Sequence, residues 1–184
     1  MSKRLSKDHY LWNLAFAAAA RGTCDRFRGG CVVARDGILI STGYNGSAPG
    51  EPHCSDAGHD MVQVSHIRET GTSTSSNSAL DERHCIRTIH AEINAIVGAA
   101  YVGASIRDCD WYFTGTPCWR CSRVIARLNP QRLFICSTQG GCDDEKLAII
   151  EWWRTRNMTS GVKTFSKSLA YLIELGIATN DDSH

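Results

Sequence analysis

Two short motifs place residues that bind metals and move protons where helices are predicted to begin. The first is His90-Ala-Glu92, and the second is Pro117-Cys118-Trp-Arg-Cys121. A neutral imidazole and two thiolates bind Zn²⁺ tetrahedrally, and three protein ligands leave one position open for water. Because a helix N-terminus lowers the pKa of a cysteine, Cys118 and Cys121 are well placed to be thiolates. The pattern therefore predicts a catalytic zinc site.

Glu92 is the residue that separates a reactive site from a structural one. Zinc lowers the pKa of water, and the resulting hydroxide attacks the amine-bearing carbon C4 of a pyrimidine. Glu92 would take the water proton, deliver a proton to the ring nitrogen and protonate the departing ammonia. H-x-E followed by P-C-x-x-C is typical of zinc deaminases that act on nucleobases. The alternative is a closed zinc site that recruits a fourth ligand and leaves Glu92 solvated.

Four segments extend this signature over much of the chain. They are Gly43-Tyr-Asn-Gly46, Pro52-His-Cys-Ser-Asp56, His84-Cys-Ile-Arg-Thr-Ile-His-Ala-Glu-Ile-Asn-Ala-Ile96 and Thr116-Pro-Cys-Trp-Arg-Cys121. Together they resemble the deoxycytidylate (dCMP) deaminases of bacterial and phage type, from about Tyr10 to Cys136. The resemblance implies an α/β, cytidine-deaminase-like three-layer sandwich, a mixed sheet with helices on both faces. It also implies conversion of dCMP to dUMP for thymidylate synthesis and a homo-oligomer, with a hexamer favoured.

The resemblance further implies a role for each matching position. The catalytic zinc ligands would be His90, Cys118 and Cys121, and Glu92 would be the acid/base. Asn45 would hydrogen-bond the deoxyribose 3′-hydroxyl, while the backbone around Ala91 and Thr116 would grip the pyrimidine edge.

The Gly43-Tyr44-Asn45-Gly46 segment has two interpretations. As an isolated motif it is typical of a turn that leaves a strand, since Asn and Gly tolerate left-handed backbone. In regulated members of the family it contributes to a site for dCTP and dTTP. Because Tyr101 stands where some of those members have Arg, the sequence leaves effector control open.

A second zinc would explain the long stretch from about residue 44 to residue 89, in which we find no convincing periodicity. The resemblance implies a structural zinc that pins this loop to the first helix. The ligands we expect are Cys24, Cys54, Cys85 and His59, with His84 as the alternative histidine. The alternative interpretation is a set of reduced thiols in a mobile loop.

Phosphate recognition and base recognition are less well specified by the sequence. Arg26 and Arg28 are candidates for the substrate phosphate, because arginine binds phosphate through a bidentate fork, or they are surface charges. Arg87 would brace the loop. Family members usually carry a Tyr near the base, but the stretch after Cys136, Ser-Thr-Gln-Gly-Gly-Cys-Asp-Asp, has no aromatic residue. The absence of this aromatic residue predicts either a looser base pocket or a substrate that carries a 5-substituted cytosine.

The elements that must position these residues follow from periodicity. We predict helices over 8–21 (capped by Asp8), from His90, from Pro117 to 128, over 143–156 and over 167–175. A hairpin turns at Asp36-Gly37, and strands cover 111–114, 132–136 and 162–165. Thr70 to Ser78 is a low-complexity surface excursion. Strand–helix alternation after a hairpin indicates a mixed sheet in one domain over 1–184, with a catalytic core of about 9–140.

Composition excludes several classes of protein. The 20 Lys and Arg residues nearly balance 19 Asp and Glu, a net charge of +1, which argues against a nucleic-acid polymer as partner. No apolar stretch is long enough to span a bilayer. Nine cysteines, of which Cys31 and Cys136 lie in apolar runs as buried thiols, fit a reducing, cytoplasmic compartment.

Two competing classes of function remain. Zinc deaminases of other substrates (5-substituted dCMP, tRNA adenosine or a riboflavin-pathway pyrimidine) share the two motifs. A non-catalytic zinc-binding interaction module is the rival outside enzymes, and it gives no reason for Glu92.

Overall fold

The structure, a computed structural model, describes residues 4–63, 83–136, 144–155 and 162–165. In chain order its elements are α1 (Lys7–Ala19), β1 (Gly30–Arg35), β2 (Ile38–Tyr44), α2 (Cys54–Ala57), β3 (Met61–Gln63), β4 (Arg83–Cys85), α3 (Ala91–Tyr101), β5 (Asp110–Phe113), α4 (Trp119–Ala126), β6 (Arg132–Cys136), α5 (Asp144–Arg154) and β7 (Val162–Phe165).

Five strands form one mixed sheet in the order β2-β1-β5-β6-β7. Strand β1 is antiparallel to both β2 and β5, whereas β5, β6 and β7 run parallel. The β1–β2 hairpin predicted from the sequence is confirmed. Its two turn residues, Asp36 (φ 55°) and Gly37 (φ 78°), are both left-handed, as a tight hairpin turn requires.

Helices cover both faces of the sheet, which confirms the predicted three-layer sandwich. Alternate strand residues point to opposite faces. On one face Val32, Tyr112 and Phe134 pack against α1. On the other face Val33, Trp111 and Leu133 pack in one core with α3, α4 and α5. No helix in the described part of the chain is long and apolar enough to cross a membrane.

Three predicted helix starts require correction. The cap of α1 is Ser6, whose hydroxyl accepts a hydrogen bond from the His9 N–H, and Asp8 lies in the first turn instead. Helix α3 begins at Ala91 with His90 as its cap, and α4 begins at Trp119 with Cys118 as its cap. Pro117 therefore precedes the cap of α4 instead of opening its first turn. The helix predicted over 167–175 lies outside the described residues.

The stretch between β2 and α3 contains more order than its sequence pattern indicates. It holds the short helix α2, the antiparallel pair β3–β4 and a two-way backbone bridge between Gly46 and Ile89. Thr70 to Ser78 lies outside the described residues. The bridge at Gly46 and Ile89 returns the chain to the end of β2 just before His90.

Candidate metal and nucleotide site

Two helix starts meet at one end of the sheet and bring the two sequence motifs together. His90 caps α3, Cys118 caps α4, and Cys121 lies in the first turn of α4. Both cap residues have extended backbone. Their side chains therefore lie at the helix end whose N–H groups have no partner within the helix. Burial of α3 and α4 on the same face of the sheet sets the two starts side by side.

The geometry of these three side chains fits a tetrahedral zinc ion. The Nδ1 atom of His90 lies 3.6 Å from the Sγ atoms of both Cys118 and Cys121. Tetrahedral bonds of ~2.0–2.3 Å place nitrogen and sulfur ligands about 3.5 Å apart. Within the described residues this group comprises three ligands, the number that leaves one coordination position open.

The pKa shifts in this group favour a thiolate at Cys118. A hydrogen bond from the Cys121 thiol, with help from His90, holds the pKa of Cys118 well below its usual value. The same hydrogen bond raises the pKa of Cys121, which keeps the shared proton. The hydrogen bond with Cys118 raises the pKa of His90. A divalent cation would replace the shared proton, because thiolate is the form of cysteine that binds metals.

Glu92 lies in the first turn of α3, beside the ligands but separate from them. Burial raises the pKa of its carboxyl group, opposed by the charge of His90. The carboxyl group is within hydrogen-bond distance of Cys121. A carboxyl group with a raised pKa can both accept and return a proton nearer neutral pH.

Asn45 ties the start of α3 to the residues before β1. It is 8% exposed, its Oδ1 accepts the Ala91 N–H at 2.9 Å, and its Nδ2 donates to the Phe27 carbonyl oxygen at 2.9 Å. The amide keeps one N–H and one lone pair for another partner. The Ala91 N–H, in contrast, is already engaged by Asn45. Thr116 is half-buried in the segment that leads from β5 to Cys118.

A second cluster forms where the loop meets the chain after α1. The ligand atoms of Cys24, Cys54 and His59 lie within 4.8 Å of one another, and the sulfur of Cys85 is 3.7 Å from that of Cys54. Two sulfurs on one tetrahedral zinc are about 3.8 Å apart. Three of the four expected ligands thus form one group, and Cys85 adjoins it at Cys54. His84 precedes Cys85 in β4.

Polar partners surround the second cluster. Nε2 of His59 lies 3.0 Å from the Asp25 carboxylate, while its buried Nδ1 has no hydrogen-bond partner and is free to bind a metal. The Thr88 hydroxyl is 3.2 Å from the sulfur of Cys54. Burial opposes ionisation of Cys85, but the neighbouring His59 ring, the Thr88 hydroxyl and backbone N–H groups outweigh it and lower its pKa to about 6.

Asp25 and Thr88 were missed by sequence reasoning. Their only signal was adjacency, since Asp25 follows Cys24 and Thr88 follows the His84-Cys85 pair. A carboxylate on the far nitrogen of a metal-binding histidine fixes its tautomer and raises its basicity. That role depends on a contact between Asp25 and His59 that spacing does not predict.

The two arginines considered for phosphate differ in exposure. Arg26 is exposed and its guanidinium donates to the sulfur of Met61 at 3.3 Å. Arg28 is half-buried, and its aliphatic stem packs beside Gly22. Arg87, predicted to brace the loop, is half-buried with no hydrogen-bond partner for its Nε atom.

Comparison with known proteins finds relatives that are about one third identical to this chain in sequence. ComE operon protein 2 of Bacillus subtilis is 33% identical over 132 residues, covering 72% of this chain and 60% of that protein. Deoxycytidylate deaminase of Enterobacteria phage T4 is 32% identical over 145 residues, covering 68% of this chain and 75% of the phage protein. The chain thus spans less than two thirds of the Bacillus relative.

A solved structure shows the same fold. The dCMP deaminase of cyanophage S-TIM5, crystallised with dCMP and dUMP, superposes with a TM-score of 0.59 at 18% identity, covering 89% of this chain and all of that one. Residues 5–137 match the family model described as the cytidine and deoxycytidylate deaminase zinc-binding region. That span contains both helix starts, Glu92 and Asn45, so the chain belongs to the cytidine and deoxycytidylate deaminase family of zinc-binding proteins.

Proposed function

We propose that this protein is a zinc-dependent enzyme that hydrolyses dCMP to dUMP and ammonia, supplying dUMP for thymidylate synthesis. The observation that carries the proposal is the convergence of His90, Cys118 and Cys121 beside the carboxyl group of Glu92. The phage T4 relative bears the name deoxycytidylate deaminase, and the S-TIM5 enzyme was crystallised with the substrate and the product. A non-catalytic zinc module would need no such carboxyl group.

Glu92 moves the protons of the reaction. Zinc, when bound, supplies the Lewis acidity that makes water nucleophilic near neutral pH. Glu92 accepts one proton as water adds to C4 of cytosine, and passes it to N3. It then takes the second proton of the added oxygen and delivers it to the amino group, which leaves as ammonia. Its raised pKa suits both directions of transfer.

The nucleotide would be held by groups around the start of α3. We assign the deoxyribose 3′-hydroxyl to the remaining N–H and lone pair of Asn45. We assign the pyrimidine edge to the backbone near Thr116 and Ala91. Because the Ala91 N–H already donates to Asn45, Thr116 is the better donor. For the phosphate we favour Arg28, which is half-buried in the segment that ends at Gly29, with Arg26 as the alternative.

A second, structural zinc is proposed at Cys24, Cys54, His59 and Cys85. The sulfur spacing, the unpartnered Nδ1 of His59 and the lowered pKa of Cys85 support it. Four protein ligands would close the coordination shell, as is typical of structural zinc. The ion would join the end of α1 to α2 and β4.

Replacing Cys54 by Ala tests the second zinc directly. We expect the zinc content of purified protein to fall from two ions per chain to one, because the remaining ligands form an incomplete site. Metal analysis by mass spectrometry gives the stoichiometry. Cys136→Ala, a buried cysteine outside both clusters, is the control and should keep two ions. Unchanged stoichiometry in the Cys54 variant would remove the second zinc from the proposal.

The last part of the proposal concerns the oligomeric state of the protein and the binding of nucleotide effectors. The outer face of α3 exposes Val97 (58%) and Tyr101 (91%), and the edge strand β2 exposes Ile38 (67%). Exposed apolar groups on adjacent elements favour a subunit contact, in keeping with a homo-oligomer and with a hexamer as the favoured state. Effector binding at Gly43, Tyr44 and Gly46 stays a prediction. Light scattering measures the oligomeric state, and calorimetric titration with dCTP or dTTP measures effector binding.

Ammonia release tests the proposed function. Protein of known zinc content is assayed with dCMP, 5-methyl-dCMP, dCTP, deoxycytidine and CMP, each with and without dCTP or dTTP as effector. We expect dCMP, or its 5-substituted form, to be turned over fastest. If deoxycytidine or CMP were turned over fastest instead, the substrate would be a nucleoside or a ribonucleotide and not dCMP. Absence of ammonia from all five with zinc bound would contradict the proposal and direct the search to tRNA adenosine, a riboflavin-pathway pyrimidine or a binding module.

A further inference from the structure

Phe27 is a large aromatic residue that stays 39% exposed although it lies beside the buried residues Gly29, Asn45 and Gly115. The outer edge of its ring lies over two glycines. A Cβ atom added at Gly115 would lie 3.0 Å from Cζ of Phe27, and one added at Gly29 would lie 3.0 Å from Cε1. Both glycines are buried, so their missing side chains make the space that the ring occupies.

The two glycines belong to segments that end at the zinc ligands and at Asn45. Gly115 lies between β5 and the ligand Cys118. Gly29 accepts a hydrogen bond from the Asn45 backbone N–H, and a Cβ atom there would also lie 2.9 Å from Oδ1 of Asn45. The ring of Phe27 therefore bridges the residue assigned to the sugar and the segment assigned to the base.

The backbone of Phe27 is fixed at the same place. Its carbonyl oxygen accepts the hydrogen bond from Nδ2 of Asn45, whose Oδ1 holds the Ala91 N–H at the start of α3. A ring anchored in this way loses little conformational freedom when a ligand covers it. Exposed aromatic surface that is rigidly held next to a polar site is typical of a ligand-contacting wall.

We propose that Phe27 is a substrate-contacting residue whose ring forms the apolar wall of the nucleotide pocket between Asn45 and the Gly115–Cys118 segment. Cytosine and deoxyribose C2′ are the apolar surfaces of dCMP that a ring in this position can cover. The wall supplies the aromatic contact that the sequence after Cys136 lacks. This inference rests on the proposed nucleotide substrate.

Phe27→Ala tests the wall, with Tyr10→Ala as the matched control, because Tyr10 is an exposed aromatic residue of α1 that belongs to none of the proposed sites. Two quantities are measured: KM and kcat on the panel nucleotide that the wild type deaminates, and the Kd of dUMP by calorimetry. Removing an aromatic contact to a base weakens binding by roughly 5- to 150-fold. We expect KM and the dUMP Kd to rise by that factor with kcat nearly unchanged, since the lost contact is the same in the ground and transition states.

Two further variants separate contact from folding. Phe27→Tyr should restore wild-type KM, and Phe27→Leu, which keeps the bulk without the ring, should lie between wild type and Phe27→Ala. If Phe27→Ala fails to fold, Phe27→Leu and Phe27→Tyr still decide the proposal. Values of KM and Kd within twofold of wild type in the Ala or Leu variants would overturn it, and so would a loss confined to kcat. If the wild-type protein deaminates none of the panel nucleotides, the proposed function is contradicted instead. If it also binds none of them, the proposed function and the proposed role of Phe27 are both contradicted.

Discussion

Glu92 and Asn45 make different contacts at the start of α3. Asn45 accepts the first free N–H of the helix, that of Ala91, and so fixes the direction in which the helix leaves His90. Glu92, one residue further on, then lies beside Cys121 without joining the ligand group. In the proposed mechanism Asn45 therefore orients the start of the helix, while Glu92 transfers protons.

Glu92→Gln should separate metal binding from chemistry. The amide has nearly the same shape but cannot accept a proton, so we expect two bound zinc ions, an unchanged melting temperature and turnover lowered by about 10²- to 10⁴-fold. Steady-state kinetics and metal analysis on the same preparation measure these quantities. Glu151→Gln, which changes an exposed carboxylate on α5, is the control and should keep full activity. Near-normal activity of the Glu92 variant would refute its role as proton shuttle.

Among the elements, strand β2 and helix α3 make the contact on which the site depends. Asn94 donates to the Tyr44 carbonyl oxygen at 2.7 Å, and the Ser41 hydroxyl donates to the Ala95 carbonyl oxygen at 2.7 Å. Gly43 lies in β2, paired with Cys31 in β1, and not in a turn. A Cβ atom at Gly43 would overlap the backbone of α3 at Ala91 and Ala95. Gly43 is therefore required for close packing of helix on strand.

Gly43→Ala should destabilise the protein and displace His90. Because the obstructing atoms are backbone, α3 must move away from β2, and overpacking of this kind costs about 1–3 kcal/mol or more. For a chain of this size that lowers the melting temperature by roughly 2–4 °C per kcal/mol. We expect turnover to fall as well. Calorimetry and kinetics provide the measurement.

Gly46→Ala is the matched control in the same motif. There a Cβ atom would meet side-chain atoms instead of backbone, the Thr23 hydroxyl at 3.2 Å and the Tyr44 ring at 3.5 Å, so a small loss of stability is expected. If Gly43→Ala kept its melting temperature and activity but altered the response to dCTP or dTTP, the effector interpretation of the motif would replace the packing one.

The sequence was sufficient to predict the strands of the main sheet and the helices that cover it, but not α2, β3, β4 or the contacts between elements. Runs such as Cys31-Val-Val-Ala and Leu133-Phe-Ile-Cys predicted strands, and His90 and Cys118 were recognisable at helix starts. The roles of Gly43, Asp25 and Phe27 depend on partners distant in sequence, the backbone of α3, His59 and Gly115. No local pattern encodes such distances. The helix caps at Ser6 and Cys118 were misplaced because several neighbouring residues could serve as caps.

On the scale of the whole molecule, short segments of chain connect the second cluster to residues assigned to the nucleotide and the catalytic zinc. Cys24 in the second cluster precedes Phe27, and Thr88, which contacts the sulfur of Cys54, precedes His90. Ile89, which is bridged to Gly46, stands between Thr88 and His90 in the chain. A metal ion in the second cluster would thus restrain both the wall formed by Phe27 and the first catalytic ligand. Folding stability and the shape of the pocket are expected to depend on the same ion.

Zinc removal should therefore lower stability in two separable steps. A metal that binds only the folded state stabilises it by about 4 kcal/mol at a free concentration 1,000 times its Kd. For a chain of this length that corresponds to roughly 8–16 °C in melting temperature for each ion. Calorimetry on the zinc-loaded and the chelator-treated protein gives the total shift. We expect zinc-loaded Cys54→Ala to melt between these two limits and zinc-loaded Glu92→Gln to melt with the wild type.

The order in which the ions are lost distinguishes the two sites. The proposed second site would have four ligands, a carboxylate on His59 and hydrogen bonds to its sulfurs, whereas the proposed catalytic site would have three protein ligands and an open position. During chelation we expect activity to disappear with the first ion released and most of the melting shift to follow with the second. A single simultaneous loss would show that the clusters bind zinc as one unit. A melting temperature unaffected by complete zinc removal would contradict any structural role for the metal.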